Sequence, residues 1–115
     1  MRFPFRLDFF RGFPARVTGD SMLPILPPGS LVIAYPINEG TKLVRGDVVV
    51  ARRPDRPSLE MVKRISEIDG DRFYLLGDNP NASTDSRTFG PVDRSELVAR
   101  LTWRYWPVPP RRLRT

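Results

Sequence analysis

A chain of 115 residues with 19 Lys+Arg, 13 Asp+Glu, 40% hydrophobic residues, 13 prolines and neither cysteine nor histidine suits one domain with one modest core. The missing Cys excludes disulfides, thiolate metal sites, iron–sulfur clusters and a Cys nucleophile, and the missing His excludes a Ser-His-Asp triad and an imidazole-ligated metal. The +6 charge is not spread as a nucleic-acid face, because residues 1–16 and 111–115 carry +3 each while residues 17–110 balance at 12 basic and 12 acidic.

Any catalysis is left to Ser, Thr, Tyr, Lys and carboxylates, without cofactor or metal. Of the cations, 17 are Arg, so only Lys42 and Lys63 can serve as neutral amine bases. In chain order, residues 1–16 interleave Phe3, Phe5, Phe9 and Phe10 with Arg2, Arg6 and Arg11. This basic, aromatic segment reads as a solvated tail or as a peripheral membrane contact. Arg and Pro interrupt it too often for a secretory leader. Thr18-Gly19-Asp20-Ser21-Met22-Leu23-Pro24-Ile25-Leu26 follows. A Ser after Gly, flanked by Met and Pro, lies on a constrained turn: either a plain turn Ser or a nucleophile presented with backbone N–H groups around it.

Runs at 31–35, 47–53, 60–68, 72–76 and 97–106 have strand length and composition, separated by Pro/Gly/Asp/Asn punctuation and without helical periodicity. The longest uninterrupted apolar run, 31–35, is far short of the roughly 20 residues that cross a bilayer. The chain is therefore expected in the cytoplasm. Within 60–68, strand alternation sets Lys63 on one face with Met61 and Ile65. Burial there would lower its pKa towards that of a general base, whereas the ordinary alternative is a Lys that snorkels to water. Asp69-Gly70-Asp71 signals a hairpin turn. Residues 77–91 form a long polar loop, either held by its own Asx and Ser/Thr bonds, with Asp85 and Arg87 as a structural ion pair, or functional. Residues 107–115, with three Pro and three Arg, read as an exposed tail. The fold class expected is mostly β, with residues 17–106 as the functional domain.

The order of Thr18-Gly19-Asp20-Ser21-Met22-Leu23-Pro24, Arg45-Gly46-Asp47-Val48-Val49-Val50, Met61-Val62-Lys63-Arg64-Ile65 and Gly77-Asp78-Asn79 through Ser83, Asp85, Ser86 and Arg87 to Phe89-Gly90-Pro91-Val92 resembles the successive boxes of type I signal peptidases. The resemblance implies a signal-peptidase-like or repressor-protease-like β domain. It implies a serine endopeptidase with Ser21 as nucleophile and Lys63 as general base. Ser83 would orient the amine, and the Asp85–Arg87 pair would hold the loop. The Ser21 N–H would be one oxyanion donor. Gly19 stands where some members carry a second, hydroxyl donor, with Thr18 its neighbour. Met22, Pro24, Ile25, Leu26 and Ile33 are the expected lining of shallow subsites for small residues.

Only 13 residues separate Lys63 from Gly77, so the second β domain often inserted there is absent. With no membrane anchor expected either, the chain looks like the small relatives assigned to nickel superoxide dismutase maturation. The implied partner is a precursor polypeptide with an N-terminal leader. The alternatives are processing of exported proteins and, from another class, an inactive module that holds an extended peptide by strand addition. A self-cleaving relative of the repressor proteases is disfavoured by the lack of an N-terminal DNA-binding domain and by the Gly-Asp-Asn box.

Overall fold

The computed structural model describes residues 12–82 and 84–113. Among them run eight strands: β1 (Phe13–Arg16), β2 (Leu31–Pro36), β3 (Val48–Arg53), β4 (Arg56–Asp69), β5 (Arg72–Leu76), β6 (Val92–Asp93), β7 (Leu97–Trp106) and β8 (Arg111–Arg112). They form one antiparallel sheet in the order β1-β2-β7-β3-β4-β5-β6, with β8 added to β7. The mostly β expectation holds. The only α-helix among the described residues is α1 (Ser86–Phe89), and no described helix is long and apolar enough to cross a membrane.

Strand β3 is central because its Val48-Val49-Val50-Ala51 run has no polar face to offer water. Val48 joins one core cluster with Val17, Met22, Leu26, Val32, Ala34, Ala99, Leu101 and Leu113. Val49 and Ala51 join a second with Ile65, Phe73, Leu75, Val92 and Leu97. Between them, β3 is buried on both faces. The β4–β5 hairpin turns through Gly70 at φ +63°, a left-handed conformation that glycine adopts without strain. That hairpin accounts for the whole connection from Lys63 to Gly77.

Two expected boundaries are corrected. Residues 13–16 are not part of a separate N-terminal piece: they form edge strand β1, where Pro14 is tolerated because an edge strand has backbone positions that need no ladder partner. Residues 1–11 lie outside the described residues. Residues 107–113 are not a solvated tail either. β8 pairs with β7, the Leu113 N–H donates to Thr102 O at 3.1 Å, and the Leu113 side chain is core.

Candidate active site

The Ser21 turn is fixed by short-range bonds, Leu23 N–H to Asp20 O and Leu26 N–H to Met22 O, with the Met22 and Leu26 side chains sunk in the first core cluster. Its outer side is held from two directions. Asn79 donates through its backbone N–H to Ser21 O at 2.8 Å and through Nδ2 to Asp20 O at 3.1 Å. Arg104, buried on β7, donates from NH1 to Ile25 O at 2.7 Å. The turn is thus pinned, while among the described residues the Ser21 hydroxyl makes one long bond, 3.4 Å to Val62 O on β4. That length is well beyond the usual O–H···O spacing. Gly19 has φ +81°, so a side chain two residues before Ser21 would be strained.

The next residue along β4 is Lys63, only 3% exposed. It lies opposite Val49, on the face that carries Ile65, as strand alternation predicted. Burial pushes its pKa below the usual lysine value; the Asp85 carboxylate pulls it back up, and Arg87 and Arg53 push it down again. Asp85 is itself 1% exposed. Its carboxylate accepts from Gly77 N–H at 3.0 Å, from Arg87 N–H as the N-cap of α1, and from both Nε and NH2 of Arg87. The Asp85–Arg87 ion pair expected from the sequence closes at 2.7 Å. Ser83 lies outside the described residues.

Beside Ser21 opens a groove of about 390 Å3 between β1 and β4. Its floor is Ala34, Val50, Val98 and Ala99, and its walls include Ala15, Val17 and Thr18 on one side and Glu60, Met61 and Val62 on the other. Among the described residues, β1 pairs only with β2, and β4 pairs with β5 only from Arg64 onward. Two unpaired strand edges therefore flank the groove. None of the five residues expected to line subsites contributes to it. Met22 and Leu26 are core, Ile25 packs against the same cluster, Pro24 is exposed on the turn, and Ile33 points to the other face of β2 from Ala34. Sequence proximity to Ser21 misleads here, because the groove is built by strands distant in the chain.

The sequence reading also missed the residues that hold the boxes together. Arg64 donates from Nε and NH2 to both oxygens of Asp78, at 2.9 and 2.8 Å, and from NH1 to Gly46 O and Leu113 O. Asp47, fully buried, accepts from Val44 N–H at 3.0 Å and lies 3.7 Å from Arg100 NH1. Asp47 O receives the Ile65 N–H. The Arg45-Gly46-Asp47 turn, the Lys63 strand and the Gly77-Asp78-Asn79 segment are thereby one bonded unit, and the available signal was the cluster of Arg and Asp within the boxes.

Known proteins are similar to this chain in sequence. The mitochondrial ATP-independent inner membrane protease subunit 1b of Arabidopsis thaliana is 33% identical over 85% of this chain and 72% of its own length. The mitochondrial inner membrane protease subunit 1 of Xenopus tropicalis is 33% identical over 56% of this chain and half of its own length. Signal peptidase IB of Staphylococcus aureus is 28% identical over 62% of this chain and 37% of its own. The Peptidase S24-like family matches residues 3–101, which span the Ser21 turn, the Lys63 strand, the Asp85 loop and the first half of β7, and the chain belongs to that family of peptidases.

Proposed function

We propose that this chain is a serine endopeptidase in which Ser21 attacks the scissile carbonyl and Lys63 takes its proton. The observation that carries the reading is the Ser21 hydroxyl resting against the Val62 carbonyl, one residue from a buried lysine whose pKa is lowered. A neutral amine can then do what an imidazole does elsewhere, accepting the Ser proton on attack and later activating the water that releases the acyl group. The Ser21 N–H supplies an oxyanion donor, and Ser83 orients the amine. Asp85, neutralised by Arg87, holds the loop without locking Lys63 in its charged form.

The groove fits an extended peptide. Such a segment would add to the free edges of β1 and β4, and the Ala and Val floor suits small side chains near the cut. The substrate is the N-terminal leader of a precursor polypeptide. Of the two precursor classes the sequence suggested, proteins delivered to or across a membrane are favoured, since the relatives are named as inner membrane proteases and a signal peptidase. Nickel superoxide dismutase maturation has no such support and remains the second choice.

Replacing Ser21→Ala and Lys63→Ala should each abolish cleavage of a leader peptide while circular dichroism stays unchanged. A serine-directed acylating probe should label the native chain at Ser21 and fail on Ser21→Ala. Absence of labelling together with retained peptide binding would transfer the reading to a binding module; turnover retained in Lys63→Ala would remove the lysine base.

A further inference from the structure

The groove beside Ser21 has an apolar floor, yet its two ends differ in charge. Among its lining residues only Arg16 and Glu60 are ionisable. β1 runs from Phe13 to Arg16 and on through Val17 and Thr18 to Ser21, and β4 runs from Glu60 to Val62, whose carbonyl meets the Ser21 hydroxyl. Arg16 therefore stands nearer the Ser21 end of its wall than Phe13 does. Along β4, Glu60 is the lining residue furthest from Ser21. The far end of the groove is thus bounded by Phe13 on one wall and Glu60 on the other. Strand register puts both side chains on the floor's side of the sheet: Phe13 pairs with Ala34 of the floor, and Glu60 shares a face with Val62, which pairs with Val50 of the floor.

Both residues are open to a guest. Phe13 is 43% exposed. Glu60 is exposed, and among the described residues its carboxylate makes no ion pair. Arg52, its partner across β3, is exposed as well and does not line the groove. A carboxylate and an exposed aromatic ring on one cavity attract the same kind of guest. The carboxylate draws a cation directly, the ring draws it through its quadrupole, and the apolar floor accepts the methylene stem of a long basic side chain. Arg16, further along β1 towards Ser21, disfavours a cation at the cut itself.

We propose that the far end of the groove is a subsite for a Lys or Arg side chain of the precursor's leader, with Glu60 and Phe13 as its specificity determinants. A strand advances about 3.3 Å per residue, so the peptide residue beside Glu60 is about two residues from the one beside Val62. The basic side chain is therefore third or fourth from the bond that Ser21 attacks. The leader is the part concerned because it stays esterified to Ser21 until water releases it, and so must remain seated in the groove. This inference rests on the groove being the peptide site, as proposed above, and not on Lys63 acting as the base.

The test uses the full chain and synthetic decapeptides with a single Ala-Ala bond, in which the third or the fourth residue before that bond is Lys, Gln or Glu. Mass spectrometry locates the cut. At one of the two positions kcat/KM should be about three- to thirtyfold higher for Lys than for Glu, the span of one exposed ion pair together with one cation–π contact. Added salt should shrink that ratio. Glu60→Lys should reverse the order. Phe13→Leu, which keeps apolar bulk without the ring, should lower the preference for Lys over Gln about twofold. Equal rates for Lys and Glu peptides at both positions would overturn the proposal, as would an unchanged order in folded Glu60→Lys. Should that variant fail to fold, Glu60→Gln decides: loss of the preference supports the subsite and its retention overturns it. If the unaltered chain cuts none of the peptides, the peptidase reading fails and binding decides this one. Anisotropy of the same peptides, fluorescein-labelled, on Ser21→Ala should still rank Lys above Glu; equal affinities or no binding would overturn it.

Discussion

On one face of β4 the Arg64 guanidinium is bonded to both Asp78 oxygens and two carbonyls, whereas on the other face Lys63 is buried and that burial lowers its pKa. The two residues are neighbours in sequence and both are cations on paper. Their surroundings separate them by what each can do chemically. A guanidinium does not lose its proton at any working pH, so it serves as a fixed fork between carboxylate and carbonyls. An ammonium can be made neutral by burial, so it serves where a proton must be accepted. Arg64 fastens three boxes of the sequence together, and Lys63 is carried by the resulting frame.

The sharpest way to break this comparison is to make the two residues alike. Lys63→Arg keeps the charge and much of the stem but cannot become neutral, and kcat/KM on a leader peptide should fall about 10²–10⁴-fold, the range of general-base assistance. Wild-type rates in that variant would show that charge, not basicity, is what the position supplies. Next in size, Arg64→Met should leave Asp78 and two carbonyls without their shared donor. The pair is largely but not fully buried, with side chains 15% and 19% exposed, so a loss of about 2–3 kcal/mol in urea unfolding is expected. Activity per folded molecule should suffer far less than in Lys63→Arg.

The physical reasons for what the sequence reveals lie in the same strands. Alternation in residues 60–68 placed Lys63 with Ile65 correctly, because a strand gives only two choices of face. The runs at β2, β3, β5 and β7 announced themselves through β-branched and aromatic residues between turn signals. β1 and β8 did not, since Phe13-Pro14-Ala15-Arg16 and Arg111-Arg112 become strands only by pairing with partners distant in sequence. The groove was misassigned for the same cause: its floor comes from β2, β3 and β7, and no local pattern around Ser21 encodes that assembly. Arg64–Asp78 required a contact across 14 positions, which spacing alone does not announce.

A subtler test moves Lys63 towards its neighbour's permanently charged state without touching it. Arg87 repels the Lys63 ammonium and neutralises Asp85, whose carboxylate attracts it. Removing the guanidinium in Arg87→Ala weakens the first effect and exposes the second, and both raise the Lys63 pKa. The base is then neutral only at higher pH, so the rising limb of the kcat/KM profile should move in the alkaline direction, with the high-pH plateau less affected. Arg87→Lys, which restores a cation, should bring the limb part of the way back. A lowered plateau with an unmoved limb would mean that Arg87 merely braces the loop.

The smallest effect expected is a slope in stability. The folded-state pKa of Lys63 is depressed by burial, while the unfolded chain keeps the ordinary value of 10.5. Below the folded pKa both states hold the proton, and the native state bears the full cost of a buried ammonium. Between the folded pKa and 10.5 the unfolded chain binds more protons than the native one, so this residue makes stability rise with pH, by at most about 1.4 kcal/mol per pH unit. Lys63→Met has no proton to lose at this position. It should be the more stable protein at neutral pH, and its advantage should shrink as pH climbs towards 10.5, when urea unfolding is followed for both chains in matched buffers. Parallel curves would mean that Lys63 titrates alike in both states, which would put it with Arg64 as a fixed charge and remove the contrast between the two faces of β4.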